Sequence, residues 1–207
     1  MSQSAAFWDR IADRYAKRPI ADAAAYEKKL DITREYLRPD MEVLEFGCGT
    51  GSTAILHAPF VKHIHAIDVS ARMIEFARTK AAAQRVNNIT FTQSSIDEFA
   101  NAHKAFHAVL GLNILHLLED RTAVIAKTWE LLKPGGVFVS STMCLGDNMR
   151  FIKLIVPIGR RLGLMPLVKV FTADALRGEL ADAGFAIDYE WQPGKGTGLF
   201  IVAQKPQ

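Results

Sequence analysis

The sequence predicts an α/β fold built on a mostly parallel sheet, and three observations predict it. An apolar run, Val43-Leu44-Glu45-Phe46, ends in three alternating glycines, Gly47, Gly49 and Gly51, and continues into Ser52-Thr53-Ala54-Ile55-Leu56. That is the pattern of a buried strand, a tight turn and a helix start. A second apolar run, His63-Ile64-His65-Ala66-Ile67, closes on a carboxylate, Asp68. Strand-like and helix-like segments then alternate, which implies parallel strands joined by right-handed crossovers.

In chain order, residues 4–18 and 22–37 place Phe7, Trp8, Ile11 and Tyr15, then Tyr26, Leu30, Thr33 and Leu37, at near-helical spacing. Pro19 breaks the two helices apart and Pro39 closes the second, so residues 1–38 read as a helical cap ahead of the core. Strands are expected at 43–47, 63–68, 89–93, 106–112 and 135–142, with helices at 52–58, 71–83 and 119–132. Asp97 reads as the N-cap of a short helix. Thr172 reads as the N-cap of the last helix and Gly184 as its end, before strands at 184–191 and 198–204 joined by the turn residues 192–196.

At 207 residues and 49% hydrophobic, the chain is expected to form a single domain with a substantial core. Its 25 basic and 22 acidic residues balance to +3, and no basic block is set apart, which argues against a nucleic-acid partner. Cys48 and Cys144 lack metal-ligand or disulfide spacing. His57, His63 and His65 read as helix- and strand-surface residues, so no metal site is expected. The amino terminus lacks a basic-then-apolar signal segment, and the expectation is a reducing cytoplasm.

The chemistry lies at the ends of the first two strands, where open α/β sheets bind ligands and where Asp68 can accept hydrogen bonds from a ribose. The glycine pattern is G-x-G-x-G, with its third glycine one residue earlier than in the G-x-G-x-x-G of dinucleotide sites. Glu45 would repel a pyrophosphate but suits the cationic amino and sulfonium groups of S-adenosylmethionine. The segments Glu45-Phe46-Gly47-Cys48-Gly49-Thr50-Gly51, Ile67-Asp68-Val69-Ser70 and Leu132-Lys133-Pro134-Gly135-Gly136 together resemble the signature motifs of the class I S-adenosylmethionine-dependent methyltransferases. Within that family the chain is similar to small-molecule enzymes of the ubiquinone/menaquinone C-methyltransferase type.

The resemblance implies a Rossmann-like three-layer sandwich whose seven-stranded, mostly parallel sheet ends in a carboxyl-terminal antiparallel hairpin. It implies S-adenosylmethionine as cofactor and S-adenosylhomocysteine as product. Carried across by position, Gly47, Cys48, Gly49 and Gly51 lie against the methionine part, Glu45 near its amino group, Asp68 on the ribose, and Val69 and Met73 over the adenine. Met73 reads equally well as a core contact. Ser95 stands where the family usually has an acid reaching the adenine, so backbone contact through Ser95 and Ile96 is expected. Leu112 and Asn113 follow at the methionine end, and Tyr15 is placed to contact the cofactor carboxylate.

The acceptor side is less determined. His107 replaces a common family aspartate, at a strand entry remote from the ligand. His116 lies just beyond the fourth strand, either as a general base or as a residue that fixes its loop. Trp8, Tyr26 and Met143 join it as candidate pocket residues, although aromatics at helical spacing also serve simply to dock a helix. The 143–171 segment interleaves apolar residues (Met149, Phe151, Ile155, Leu162) with Arg150, Lys153, Arg160, Arg161 and Lys169, and is broken by Pro157, Gly159, Gly163 and Pro166. It reads as a lid over a hydrophobic acceptor site or as a peripheral membrane contact, and it is too interrupted to span a bilayer. The expected activity is methyl transfer to a small, hydrophobic acceptor. A non-catalytic S-adenosylmethionine-binding protein and an NAD-type oxidoreductase are the other readings, and oligomeric state is not readable.

Overall fold

A computed structural model describes residues 3–99, 105–147, 156, 159, 161, 165–194 and 198–207. About half of the 143–171 insertion therefore lies outside the described residues, as do residues 195–196 of the expected last turn.

Two helices lead, α1 (Gln3–Ala16) and α2 (Ala23–Glu35), the second capped by the Asp22 carboxylate, which accepts from the Ala25 amide at 2.9 Å. Then come β1 (Glu42–Phe46), α3 (Ser52–His57), β2 (His63–Asp68), α4 (Ala71–Ala83), β3 (Ile89–Gln93), β4 (Phe106–Leu112), α5 (Arg121–Leu131) and β5 (Leu132–Met143). The chain ends with α6 (Ala173–Asp182), β6 (Ala186–Trp191) and β7 (Gly198–Gln204). The seven strands form one sheet in the order β3-β2-β1-β4-β5-β7-β6. All pairings are parallel except β5 with β7 and β6 with β7, so β7 slots between β5 and β6. This is the expected Rossmann-like sheet with its antiparallel carboxyl-terminal pair.

Period-two alternation places the core on both faces of the sheet. Val43, Ile64, Ala108, Leu110, Val139 and Val202 pack against Ile32, Ile55 and Ile74 from α2, α3 and α4. Leu44, Phe46, Ile67, Val109, Phe138 and Ile201 pack against Val124, Ile125, Leu176 and Leu180 from α5 and α6. Glu45, two residues after Val43, thereby turns to the α2–α4 face.

Side-chain bonds tie the leading helices to the sheet. Asp9 of α1 accepts from the Ser70 hydroxyl (2.6 Å) and the Arg72 amide (3.1 Å) at the start of α4. From α2, the Lys29 ammonium donates to Ser141 Oγ at 2.9 Å, and the Tyr26 and Thr53 hydroxyls share a bond of 3.1 Å.

Three local readings change or sharpen. Thr172 caps α6 through the Ala175 amide (3.1 Å), and Gly184 follows its end at φ +96°. Residue 97 heads no helix; instead Ser95 Oγ accepts from the Glu98 amide at 3.2 Å and closes a single turn. His57 is not on the surface: at the end of α3 it is fully buried. The apolar stripe of so short a helix cannot show which of its sides is covered.

Candidate functional site

The site begins at the carboxyl end of β1. Gly47 adopts φ +65°, and a Cβ there would stand 2.7 Å from Ile114 Cγ1, so both backbone and packing demand glycine. At Gly51, the φ +73° residue that starts α3, a Cβ would meet Ala77 at 2.8 Å and Phe91 at 2.9 Å. The turn is stitched to the end of β2: the Cys48 amide donates to the Ile67 carbonyl (3.0 Å) and the Gly49 amide to Asp68 Oδ2 (2.9 Å). Lys80 fastens its far side, donating to Thr50 Oγ1 (3.1 Å) and Ser52 Oγ (2.8 Å).

Asp68 also accepts from the Ser70 amide at 2.9 Å. Burial raises its pKa, while the two amides and that of Val69 pull the other way. Each carboxylate oxygen thus holds one backbone amide and keeps a lone pair for another donor. The Tyr15 ring edge stands over Gly49, its Cε1 3.9 Å from where a Cβ would sit.

Glu45 is 3% exposed, and its Oε2 has no hydrogen-bond partner among the described residues. Burial, and secondarily the Asp68 carboxylate, push its pKa up to about 8. A buried carboxylate oxygen without a donor costs free energy, and a cationic or N–H-bearing ligand would relieve that cost. Two acids side by side at the glycine turn fit a ligand with a cationic amino-acid end and a ribose, and they disfavour one that presents phosphates here.

The other expected residues scatter around this centre. Leu112 and Asn113 end β4, with Asn113 at φ +57° and its amide donating to the Ser141 carbonyl at 2.6 Å. Met73 and Ile96 are buried, 2% and 3% exposed, and offer little surface to a ligand. Met143 is half-buried at the end of β5, opposite Gly198. Trp8 packs edge-on against both Phe7 and Tyr15. His116 shares a 3.0 Å hydrogen bond between Nδ1 and Thr142 Oγ1, and burial lowers its pKa to about 4.

Two cavities flank the glycine turn. The larger, about 1590 Å³, lies between the start of α1, the end of β3, residues 117–120 and residues 165–170; Val69 and Ser95 line it. The smaller, about 260 Å³, lies under α2 and takes in Tyr26, Leu112 and Asn113. Glu45, Gly47, Gly49 and Asp68 line neither. Of the expected pocket residues Tyr26 lines one of these two cavities, and Trp8, His116 and Met143 line neither. Sequence reasoning missed Lys29, Thr53, His57 and Ser141 in the smaller wall. The one available signal was that Tyr26, Lys29 and Thr33 share a helix face at i, i+3, i+7.

Comparison with known proteins bears on the family and the fold. Residues 43–136 match the family described as "Methyltransferase domain". The chain is 36% identical over 102 residues to a trans-aconitate 2-methyltransferase of Deinococcus radiodurans, covering 48% of this chain and 37% of that protein. It is 27% identical over 124 residues to a ubiquinone biosynthesis O-methyltransferase of Cereibacter sphaeroides, covering 60% and 50%. The matched region thus spans half or less of these curated relatives. In fold the chain is similar to the [4+2]-cyclase SpnF (TM-score 0.80, 16% identity, 100% of this chain and 96% of that one). It is also similar to YcgJ of Bacillus subtilis (TM-score 0.73, 14% identity, covering 87% and 99%).

Proposed function

We propose that this chain is a class I S-adenosylmethionine-dependent methyltransferase, a reading that its matched residues 43–136 and its methyltransferase relatives support, and that it transfers the cofactor's methyl group to a small acceptor with a hydrophobic body. The observation that carries the residue assignment is Glu45, a buried carboxylate with a partnerless oxygen at the glycine turn. In this reading Glu45 takes the cofactor's ammonium and Asp68 the ribose hydroxyls. Val69, Ser95 and Ile96 border the adenine, with Met73 behind them in the core. Gly47, Cys48, Gly49 and Gly51 let the backbone approach the methionine part, with Leu112 and Asn113 on its other side and Tyr15 above it.

Bound S-adenosylmethionine supplies an already activated methyl group on a sulfonium. What remains for the protein is to align the acceptor, exclude water and hold both partners at attack distance. The attack neutralises charge, so no strong base is needed for an acceptor that arrives ionised or with an available lone pair. His116, with its pKa near 4 and its Nδ1 engaged by Thr142, suits the positioning of the β4–α5 loop better than proton abstraction. The hydrophobic preference is supported by Met165, Pro166, Leu167, Val168 and Val170 along the larger cavity. The cap and the 143–171 insertion are read as the parts that close over the acceptor. Among the described residues no helix is long and apolar enough to cross a membrane.

The test is transfer of label from methyl-tritiated S-adenosylmethionine to a panel of small acceptors bearing hydroxyl, carboxyl and activated-carbon groups. Label in at least one acceptor is expected, with loss in Asp68→Ala. Tight cofactor binding without transfer to any acceptor would favour the non-catalytic reading.

A further inference from the structure

The smaller cavity has a chemistry that the cofactor reading does not use. Its volume of about 260 Å³ holds roughly nine water-sized groups at about 30 Å³ each. Its wall combines an apolar part, Ile20, Leu30 and Leu112, with a polar part made by Lys29, Tyr26 and His57. Ile20, 55% exposed, stands at its rim.

One feature of that polar part is unfinished. Lys29 is half-buried and donates to the neutral Ser141 hydroxyl, and among the described residues no carboxylate lies within ion-pair distance of it. Burial lowers its pKa, against a smaller opposing pull from the Asp22 carboxylate. Asp22, also in the wall, has its carboxylate engaged in capping α2. His57 is 0% exposed, packed behind this wall against the Leu30 backbone. Burial and the Arg34 guanidinium hold its pKa down at about 4, against a smaller opposing pull from a hydrogen bond to the Leu30 backbone. At neutral pH the imidazole is therefore uncharged. A half-buried cation in a cavity wall, hydrogen-bonded only to a neutral hydroxyl among the described residues and with the Tyr26 hydroxyl in the same wall, is complementary to an anion that can accept several hydrogen bonds.

We infer that this cavity seats a carboxylate of the acceptor, so that the substrate is a small organic acid whose acid group is held by Lys29 and whose apolar body lies along Leu30 and Leu112. The inference rests on the methyltransferase reading above and names its substrate class. The cofactor's own carboxylate is the other source of that chemistry. The acceptor is favoured because the cavity is roomier than one carboxylate needs and because the cofactor-facing Glu45, glycine turn and Asp68 do not line it. Leu112 and Asn113, shared by this cavity and the methionine end, would bring the acid's body alongside the methyl group.

The experiment is calorimetric titration of the protein, first with S-adenosylhomocysteine and then, once saturated, with benzoate, hexanoate, benzamide and hexanamide. At least one carboxylate is expected to bind, with its amide at least tenfold weaker. Lys29→Met should weaken that carboxylate about tenfold or more and leave S-adenosylhomocysteine affinity within twofold, and Lys29→Arg should restore most of the loss. Lys29→Gln, which keeps most of the side chain's length without its charge, gives a second reading of the same loss should Lys29→Met unfold. Equal binding of acid and amide, or no acid binding to the saturated protein, would overturn the inference. So would a Lys29→Met variant that loses S-adenosylhomocysteine in step with the acid, since the cofactor would then own the site. Failure of S-adenosylhomocysteine itself to bind would instead strike the methyltransferase reading.

Discussion

Replacing Glu45 with Gln should separate stability from binding, and the direction of each follows from the buried carboxyl. Its pKa of about 8 in the folded protein stands above the ordinary value of 4.5. The folded state therefore holds a proton that the unfolded state gives up between those values, and stability falls as pH rises through that window. The full span corresponds to roughly 5 kcal/mol at about 1.4 kcal/mol per pK unit, of which roughly 3 is already lost at pH 7. Glu45→Gln removes this loss, so the cofactor-free variant should melt several degrees above the wild type at pH 8 and differ little at pH 5. Binding moves the opposite way. A cationic amino group needs the ionised carboxylate, so S-adenosylhomocysteine should bind the variant roughly ten- to a hundredfold more weakly, the worth of one charge-assisted hydrogen bond. In the wild type Glu45 is mostly protonated at pH 7, so binding should release a substantial fraction of a proton, less what the ligand's own amine takes up. Calorimetry in buffers of different ionisation enthalpy reads that number directly. No buffer dependence, or undiminished affinity in Glu45→Gln, would refute the assignment of Glu45 to the ammonium.

Three further outcomes are expected. Gly47→Ala should cost about 1–3 kcal/mol in chemical denaturation, through its φ of +65° and the 2.7 Å approach to Ile114, and adding Ile114→Ala should recover only the packing share. Asp68→Asn should weaken cofactor binding at least tenfold and cost about 1–3 kcal/mol of stability, because its single amide oxygen can accept from only one of the Ser70 and Gly49 amides and presents no charge to ribose hydroxyls; unchanged affinity would remove Asp68 from the site. The melting temperature of the cofactor-free protein should peak at roughly pH 6.5: His57 and His116, both held near pKa 4 by burial, bind protons more readily unfolded and lower stability as pH falls below 6.5, whereas Glu45 lowers it as pH rises. A flat profile from pH 5 to 8 would show that these groups are not buried as described.

What was legible in the sequence was what is local or periodic. The β1 glycine turn declares itself because its backbone conformation and its close packing are both met by residue type at fixed spacing. The two core faces follow from alternation along each strand. The antiparallel end of the sheet came only through resemblance, since strand order depends on which edges meet in three dimensions. His57 was misread because α3 spans six residues and carries no stripe long enough to show that α2 covers it. Lys29 escaped notice because a lysine in a charged helix reads as solvated; only the register that lays Tyr26 and Lys29 over Thr53 and Ser141 places it in a cavity wall. Asp97 lost the capping role to Ser95, two residues earlier, where turn chemistry allows either and the path of the chain after β3 decides.

The central claim is that the paired acids Glu45 and Asp68 at the glycine turn hold S-adenosylmethionine, and its most direct test is parallel calorimetric titration of the protein with S-adenosylmethionine, S-adenosylhomocysteine and NAD. The account predicts one site of micromolar or tighter affinity for each of the first two and no heat from NAD. Binding of NAD in place of the sulfonium cofactor, or no binding by any of the three, would contradict it.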